Sequence, residues 1–428
     1  MEKYSKVALV KCTSYNQQEV DSAVRQAVRL LGGFGNIFMG TSEESFEGGD
    51  PSNGKTLDSD SLLVLKPNLL AKAAPERACT THPAVFRAVG RALQDEGYSN
   101  LKYGDSPGNP VIKPEKVADE CGIKGAADEL RIPIGNFEKG IEVNYPRGAV
   151  ADRFILCDEI VRADGIINIC KMKTHQLERI TGAVKNTFGC VYGANKAASH
   201  AKYPTAETFA KMMADLNCLV KPVLHVMDGV VAMEGNGPQS GTPTPMNVIL
   251  ASTDPVALDS VFCYLVDLKP ELVPTNYYGQ KQGIGTCENI EIVTADGEIT
   301  PEQAAELYGS RSFNVQRSRE FRGALKPVRF LAPLLEKKPV VKKERCIGCG
   351  MCVNACPVDG KAVFLKTENS HERQVPGDNS DDIMTRRIAE YDYGKCIKCY
   401  CCQEMCPEEA ITVKKPLLAR IADRNWRI

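Results

Sequence analysis

The chain has 428 residues, enough for two or three domains with substantial cores. Its 53 Lys and Arg stand against 54 Asp and Glu, so a formal charge of −1 leaves no global field to draw nucleic acid or an anionic membrane. No apolar run approaches the roughly 18 residues of a membrane span, and the opening MEKYSKVALVKCTSYNQQEV lacks the apolar core of a signal peptide, which predicts a cytoplasmic protein with no membrane span.

From the N-terminus, short Val/Ile/Leu-rich runs alternate with longer stretches of helical spacing: KVALV, QQEVDSAVRQAVRLLGG, SLLVLKPNLL and PAVFRAVGRALQDEGY. This alternation predicts an α/β fold, a largely parallel sheet with flanking helices. LKYGD, RFILCD, GIINIC, VLHVMDG, NVILAS and IEIV supply further strands, and their unbroken apolar character suits strands covered on both faces. Residues 1–310 read as this α/β domain and the basic, proline-punctuated 311–341 as a linker. Residues 342–415 read as a small ferredoxin-like α+β domain and 416–428 as a tail with a short amphipathic helix.

Residues 49–56, GDPSNGKT, match the G-x4-G-K-T phosphate-loop pattern in the wrong context, since no strand precedes them and a strand rather than a helix follows. They read as a turn-rich loop. More informative residues sit where predicted strands stop: Lys66, Pro67 and Asn68 after LLVL, Asp105 in YGDSPG, Lys171, Lys173 and His175 after IINIC, and Asp228 after LHVM. In an open α/β sheet ligands bind outside the carboxyl ends of strands. Any one of these residues alone is equally a solvated loop charge or a local cap; their concentration at several strand ends is the signal.

The stretch KMKTHQLERITGAVKNTFGCVYG gathers Lys171, Lys173, His175, Lys185 and Asn186 with few acids between them and reads as an anion-binding segment. Lys173 and His175 are two apart in an extended continuation and so point to one side, the lysine to hold an anion and the histidine to move a proton. Cys170 and Cys190 flank the segment and read as core thiols, the alternative being a thiolate or metal ligand. His82 opens a helix at TTHPAVFRAV, where capping and an acid/base role are both open, and Asp254 before Pro255 fits a helix N-cap. Gly235, Gly237 and Gly241 punctuate a loop suited to closing over a bound molecule.

The run C-x2-C-x2-C-x3-C-P occurs twice: Cys346, Cys349, Cys352, Cys356-Pro357 and Cys396, Cys399, Cys402, Cys406-Pro407. In a two-cluster ferredoxin the fourth cysteine of each run ligates the other cluster. Cys346, Cys349, Cys352 and Cys406 are therefore expected to hold one [4Fe-4S] cluster, and Cys396, Cys399, Cys402 and Cys356 the second. A pair of zinc sites has no use for the duplicated third spacing or the Cys-Pro endings. Cys401 reads as a spectator, and the polar insert between the runs as a surface excursion. So many thiols outside a small secreted chain suit a reducing, anaerobic cell.

LKPNLL, HPAVFRAV, GDSPG, KMKTH, ITGAVKNTFGC, MDGVVAMEGNGP and STDPVALD, followed by the paired ferredoxin motifs, resemble the family catalogued as "domain of unknown function 362". The resemblance covers essentially the whole chain and implies an iron–sulfur protein whose main domain has no general, established reaction. The ferredoxin ligands carry over onto the eight cysteines. Together these readings predict an oxidoreductase relaying electrons to a small anionic molecule, with a redox partner protein. His175, His82 and Lys173 are the candidate catalytic residues, and Lys66, Asn68, Asp105, Lys171, Lys185 and Asn186 the candidate substrate ligands. The alternative is a non-catalytic electron carrier or cofactor-assembly protein that docks a partner redox enzyme.

Overall fold

A computed structural model describes residues 4–39, 56–318, 337–370 and 384–414. The phosphate-loop look-alike (all but its last residue), the middle of the linker, the centre of the insert and the C-terminal tail lie outside the described residues. The chain divides into two compact units, Met1–Lys196 with Thr205–Arg317, and Ala197–Pro204 with Ser318–Ile428.

The large unit is built on a nine-stranded sheet. Its strands in chain order are β1 (Ser5–Lys11), β2 (Leu63–Lys66) and β3 (Leu101–Tyr103); the hairpin pair β4 (Gly140–Asn144) and β5 (Arg153–Cys157) stands apart; then follow β6 (Gly165–His175), β7 (Arg179–Thr181), β8 (Leu224–Glu234), β9 (Thr242–Ser252), β10 (Ile290–Thr294) and β11 (Gly297–Ile299). The spatial order is β11-β10-β1-β9-β8-β6-β2-β3, with β7 folded back on β6. β3, β2, β6, β8, β1 and β10 run one way, and β9, β11 and β7 run against them. The sheet is thus largely parallel, as read from the sequence, with two departures. NVILAS returns as β9 in a hairpin with β8, and RFILC pairs with β4 outside the central sheet, where its half-exposed pattern needs only one covered face.

Alternation along each strand divides the core in two. Ala8, Val10, Leu63, Leu65, Ile167, Ile169, Val226 and Ile249 face one layer, packed under helices Gln17–Leu30, Pro83–Asp95 and Ile123–Glu129. Val7, Leu9, Cys170, Met172, Met227 and Leu250 face the other, under helix Pro255–Leu265. Helix Gln17–Leu30 starts where Asn16 Oδ1 accepts from the Gln18 and Glu19 N–H groups, and it buries Val20, Ala23, Val24, Ala27 and Val28 at helical spacing. Helices on both faces leave the carboxyl ends of β1, β2, β3, β6 and β8 as the edge where charged residues gather.

The small unit pairs β12 (Lys338–Val341) with β15 (Ile411–Lys414), and β13 (Val363–Ser370) with β14 (Met384–Tyr391), both antiparallel. Two short helices, Met351–Ala355 and Cys401–Glu404, follow the ligand loops. The flanks of the insert between the cysteine runs pair as a ladder that the sequence reading did not expect; mostly polar and exposed among the described side chains, it buries Val363, Ile388 and Ala389 at its base. No helix among the described residues is long and apolar enough to cross a membrane.

Asp254 is the expected N-cap. Its Oδ1 accepts from the Val256 and Ala257 N–H groups at 2.8 Å, while Oδ2 accepts from the Thr286 N–H at 3.0 Å and from Ser5 Oγ at 2.6 Å. Asp254→Ala is expected to lower the unfolding free energy by about 1–2 kcal/mol, read as a lower urea midpoint; an unchanged midpoint would show that the cap contributes nothing.

Candidate functional site

β6 and β8 pair in a parallel register that sets Lys171 opposite Asp228. The two close a buried ion pair, Lys171 Nζ lying 2.8 Å from Asp228 Oδ2. Tyr15, just past β1, completes a triangle: its hydroxyl donates to Asp228 Oδ1 at 2.9 Å and accepts from Lys171 Nζ at 2.8 Å and from the Val231 N–H at 3.2 Å. The His82 N–H donates to Asp228 Oδ2 at 2.9 Å, and its imidazole lies flat on the Tyr15 ring, centroids 3.4 Å apart and planes within 6°.

Burial lowers the pKa of Lys171, with Asp228 opposing, and raises that of the Tyr15 hydroxyl, with Asp228 adding. Burial also brings His82 down to about 4. Its Nδ1 accepts from the Ala84 N–H at 3.2 Å, which assigns the ring proton to Nε2 and makes His82 a neutral hydrogen-bond donor at pH 7. His82 is therefore both the helix cap and a candidate polar contact, for one nitrogen each.

A second pair lies beside it. Lys66 Nζ is 2.8 Å from Asp105 Oδ1, both side chains buried, in an ionic contact without hydrogen-bond alignment at Oδ1. Asp105 Oδ2 accepts from the Leu69 N–H at 2.7 Å. Gly189 covers this pair so closely that a Cβ there would lie 1.7 Å from Asp105 Oδ1 and 2.8 Å from Lys66 Nζ. Between the two pairs runs a chain of amides: Asn68 Nδ2 donates to Asn186 Oδ1 at 2.8 Å, and Asn186 Nδ2 to Asn168 Oδ1 at 2.7 Å. Lys173 Nζ donates to Asn68 Oδ1 at 3.0 Å and to the Cys79 carbonyl.

The structure thus brings together Lys66, Asn68, Asp105, Lys171, Lys173, Asn186 and His82. Two expected members make different contacts from those expected. His175 is buried at the end of β6, and its Nδ1 accepts from the Leu177 and Glu178 N–H groups at 3.1 Å, which holds the turn into β7. Lys185 lies over the rings of Phe188 and Phe209, 4.6 and 5.1 Å from their centroids. Cys170 and Cys190 are core thiols, with burial pushing Cys190 up to about 12. The Gly235–Gly241 loop is pinned: Gly235 O accepts from Thr174 Oγ1 and Gln176 Nε2, and a Cβ on Gly237 would lie 2.2 Å from Thr174 O.

Tyr15, Asn168 and Lys196 escaped the sequence reading. Tyr15 lies in the short loop after β1, four residues past its end, so the strand-end rule applied to uncharged residues finds it. Lys196 gives no such signal; its buried ammonium donates to Ser106 O at 2.9 Å and Val191 O at 3.3 Å, and burial brings its pKa down to about 8. Taking two ammonium–carboxylate pairs out of water costs several kcal/mol per ion before their attraction is counted. Packing alone gives no reason to hold both at adjoining strand ends.

The small unit holds two recesses of similar size, ≈ 330 and ≈ 300 Å³. Cys346, Cys349, Cys352 and Cys406 line the first; Cys356, Cys396, Cys399 and Cys402 line the second, and Cys401 lines neither. The fourth cysteine of each run lies in the other run's recess, as crossed ligation requires. Backbone N–H groups already point at sulfur: Ala362 N–H to Cys356 Sγ and Ala410 N–H to Cys406 Sγ at 3.3 Å, and Ala389 N–H to Cys346 Sγ at 3.5 Å. Both ligand loops turn left-handed at matching positions, Gly348 and Gly350 in one, Lys398 and Tyr400 in the other. A conformation kept even by side chains that disfavour it is one the enclosed group requires. The residues fit two [4Fe-4S] clusters.

Residues 63–264 match the family described as "Domain of unknown function (DUF362)", and residues 345–410 match "4Fe-4S dicluster domain". The Thylakoid-associated protein sll1697 of Synechocystis sp. is 32% identical over 280 residues, 65% of this chain and 79% of that protein. Ferredoxin-3 of Nostoc sp. is 30% identical over 73 residues, 17% of this chain and 72% of that protein. Among solved structures, the lactate racemase apoprotein from Thermoanaerobacterium thermosaccharolyticum aligns over 60% of this chain and 56% of that one, with 10% identity and a TM-score of 0.36. The cysteine recesses and the ferredoxin matches make this an electron-carrying iron–sulfur protein with two [4Fe-4S] clusters, and such a module implies a redox partner.

Anaerobically prepared protein is expected to carry about eight irons per chain. Cys406→Ala is expected to damage the centre built on Cys346, Cys349 and Cys352; spectra showing loss of only the Cys396 centre would refute crossed ligation. In the large unit, Lys171→Met strands the buried Asp228 charge and is expected to cost about 3–5 kcal/mol of stability, with Lys171→Met/Asp228→Leu recovering part of it. Equal denaturant midpoints for Lys171→Met and the unaltered protein would rule out an ion pair that matters.

Proposed function

The chain belongs to the "Domain of unknown function (DUF362)" family, and on that premise we propose that it is an oxidoreductase whose large unit binds a small anionic molecule at the carboxyl ends of β2, β3, β6 and β8 for reduction. The carrying observation is the buried Lys171–Asp228–Tyr15 triangle under the His82 ring. The two [4Fe-4S] clusters supply single electrons when bound. This chain's residues supply binding, orientation and protons.

Lys66, Asn68, Asp105, Lys171, Lys173 and Asn186 form a preorganised polar wall, its side chains locked by one another before any ligand arrives. His82 offers Nε2–H to the bound anion. Because burial keeps its ring neutral above about pH 4, it acts as a hydrogen-bond donor across the neutral range rather than as a cation. The stack on Tyr15 and the cap to Ala84 fix the ring plane, so the donor's direction is set by Asp228 and Lys171 beneath it. A cytoplasmic, reducing setting suits the nine cysteines of the large unit, all free thiols.

Anaerobic purification followed by mass spectrometry of retained small molecules tests this reading, and a small anion is the expected result. With that molecule in hand, His82→Ala is expected to slow its reduction by about a hundred- to a thousand-fold, as removal of one positioned donor does, while iron content and cluster spectra stay unchanged. Protein that retains and turns over no small molecule, yet exchanges electrons with a bound partner enzyme, would instead be a carrier or assembly protein.

A further inference from the structure

The two cluster recesses are near copies of each other. Each is ringed by four cysteines, walled mostly by apolar side chains and similar in volume. Each proline-linked cysteine accepts a backbone N–H at 3.3 Å, from Ala410 to Cys406 and from Ala362 to Cys356. Each side also places one cation on a ligand carbonyl, Arg386 Nε on Cys346 O at 3.1 Å and Lys361 Nζ on Cys356 O at 2.6 Å. The match breaks at the sulfurs: the Tyr391 hydroxyl donates to Cys402 Sγ at 3.0 Å, shorter than any of those amide–sulfur bonds, whereas the other side adds a backbone N–H, Ala389 to Cys346 Sγ, at the longer 3.5 Å. The wall of the other recess carries Leu365 and Ala389, which have no hydroxyl.

We propose that Tyr391 raises the reduction potential of the centre held by Cys356, Cys396, Cys399 and Cys402, making it the first of the two to hold an electron. Reduction adds one negative charge to a four-iron cluster, shared with its sulfurs, so a donor aimed at sulfur binds the reduced form more strongly than the oxidised one. An apolar wall magnifies that difference because little water competes for the charge. Tyr391 cannot easily turn away: its ring stacks on Tyr393 at 5.6 Å and 18°, and Tyr393 is tied to Pro339 O at 2.8 Å. The charged groups on the ligand carbonyls balance between the two sides, and the Tyr391 hydroxyl at 3.0 Å outweighs the longer Ala389 N–H contact at 3.5 Å on the other side. The inference rests on the two clusters and is independent of any small-molecule site in the large unit.

The test is an anaerobic redox titration of the full chain followed by electron paramagnetic resonance, which resolves two midpoints in the unaltered protein. Tyr391→Phe keeps the ring and removes the donor, so the higher midpoint is expected to fall by about a factor of ten in the one-electron equilibrium constant, ~59 mV, while the lower stays in place. Tyr393→Phe, whose hydroxyl bonds backbone rather than sulfur, should move neither. Both midpoints unmoved in Tyr391→Phe, both shifted alike, or the higher one raised would overturn the proposal. Should that variant lose iron, the unaltered protein still decides, since coincident midpoints there would overturn it as well.

Discussion

Lys171 and Asp228 face each other across two parallel strands in the middle of a sheet, both buried from solvent. A buried carboxylate must have its lone pairs met or it destabilises the fold, and the way Asp228 is satisfied organises the whole strand-end region. Its oxygens take hydrogen bonds from Tyr15 in the loop after β1, from the His82 backbone at the start of helix Pro83–Asp95, and from Lys171. Three segments far apart in sequence are thereby tied to one point. The neutral His82 ring, stacked on Tyr15, inherits its position from that tie rather than from any contact of its own with the ion pair.

The same logic separates groups that hold structure from groups available for chemistry. Asp254 spends its carboxylate on four donors and caps a helix, so its acidity has no further use. Asp259 likewise accepts the Ala183 and Val184 N–H groups, fixing the turn that carries Asn186. His82 differs because its cap uses Nδ1 alone. Gly189 marks the neighbouring Lys66–Asp105 pair as a place where backbone must approach charge directly, since any side chain there would occupy the space of Asp105 Oδ1.

The small unit rests on a different constraint, a duplicated loop that must wrap sulfur around a cluster. Glycine makes the left-handed turns easy in the first copy, while Lys398 and Tyr400 adopt them in the second against their own preference. The duplication has therefore been kept in backbone geometry where the residues have diverged. Divergence in the strands beside the loops put Tyr391 on one sulfur and an alanine in the wall of the other recess.

Much of this was legible in the sequence because it is local or periodic. The apolar strings KVALV, LLVL and GIINIC specify buried strands, His82 and Asp254 announce helix starts, and the doubled C-x2-C-x2-C-x3-C-P dictates two clusters with exchanged fourth ligands. Strand-end position marked Lys66, Asn68, Asp105, Lys171 and Asp228 as neighbours before any coordinates. What local pattern does not encode is register and return. The antiparallel entry of β9, the departure of β5 from the sheet, and the turn that occupies His175 Nδ1 depend on which segments meet: β9 closes a hairpin on β8 and pairs with the distant β1, β5 closes on β4, and the chain after β6 folds back onto His175. Tyr15 and Tyr391 carry no charge and no motif. Only the tertiary structure brings their hydroxyls to Asp228 and to Cys402, because a hydroxyl acquires a role from the atom it is folded against, whereas a cysteine run or an amphipathic helix carries its role in its spacing.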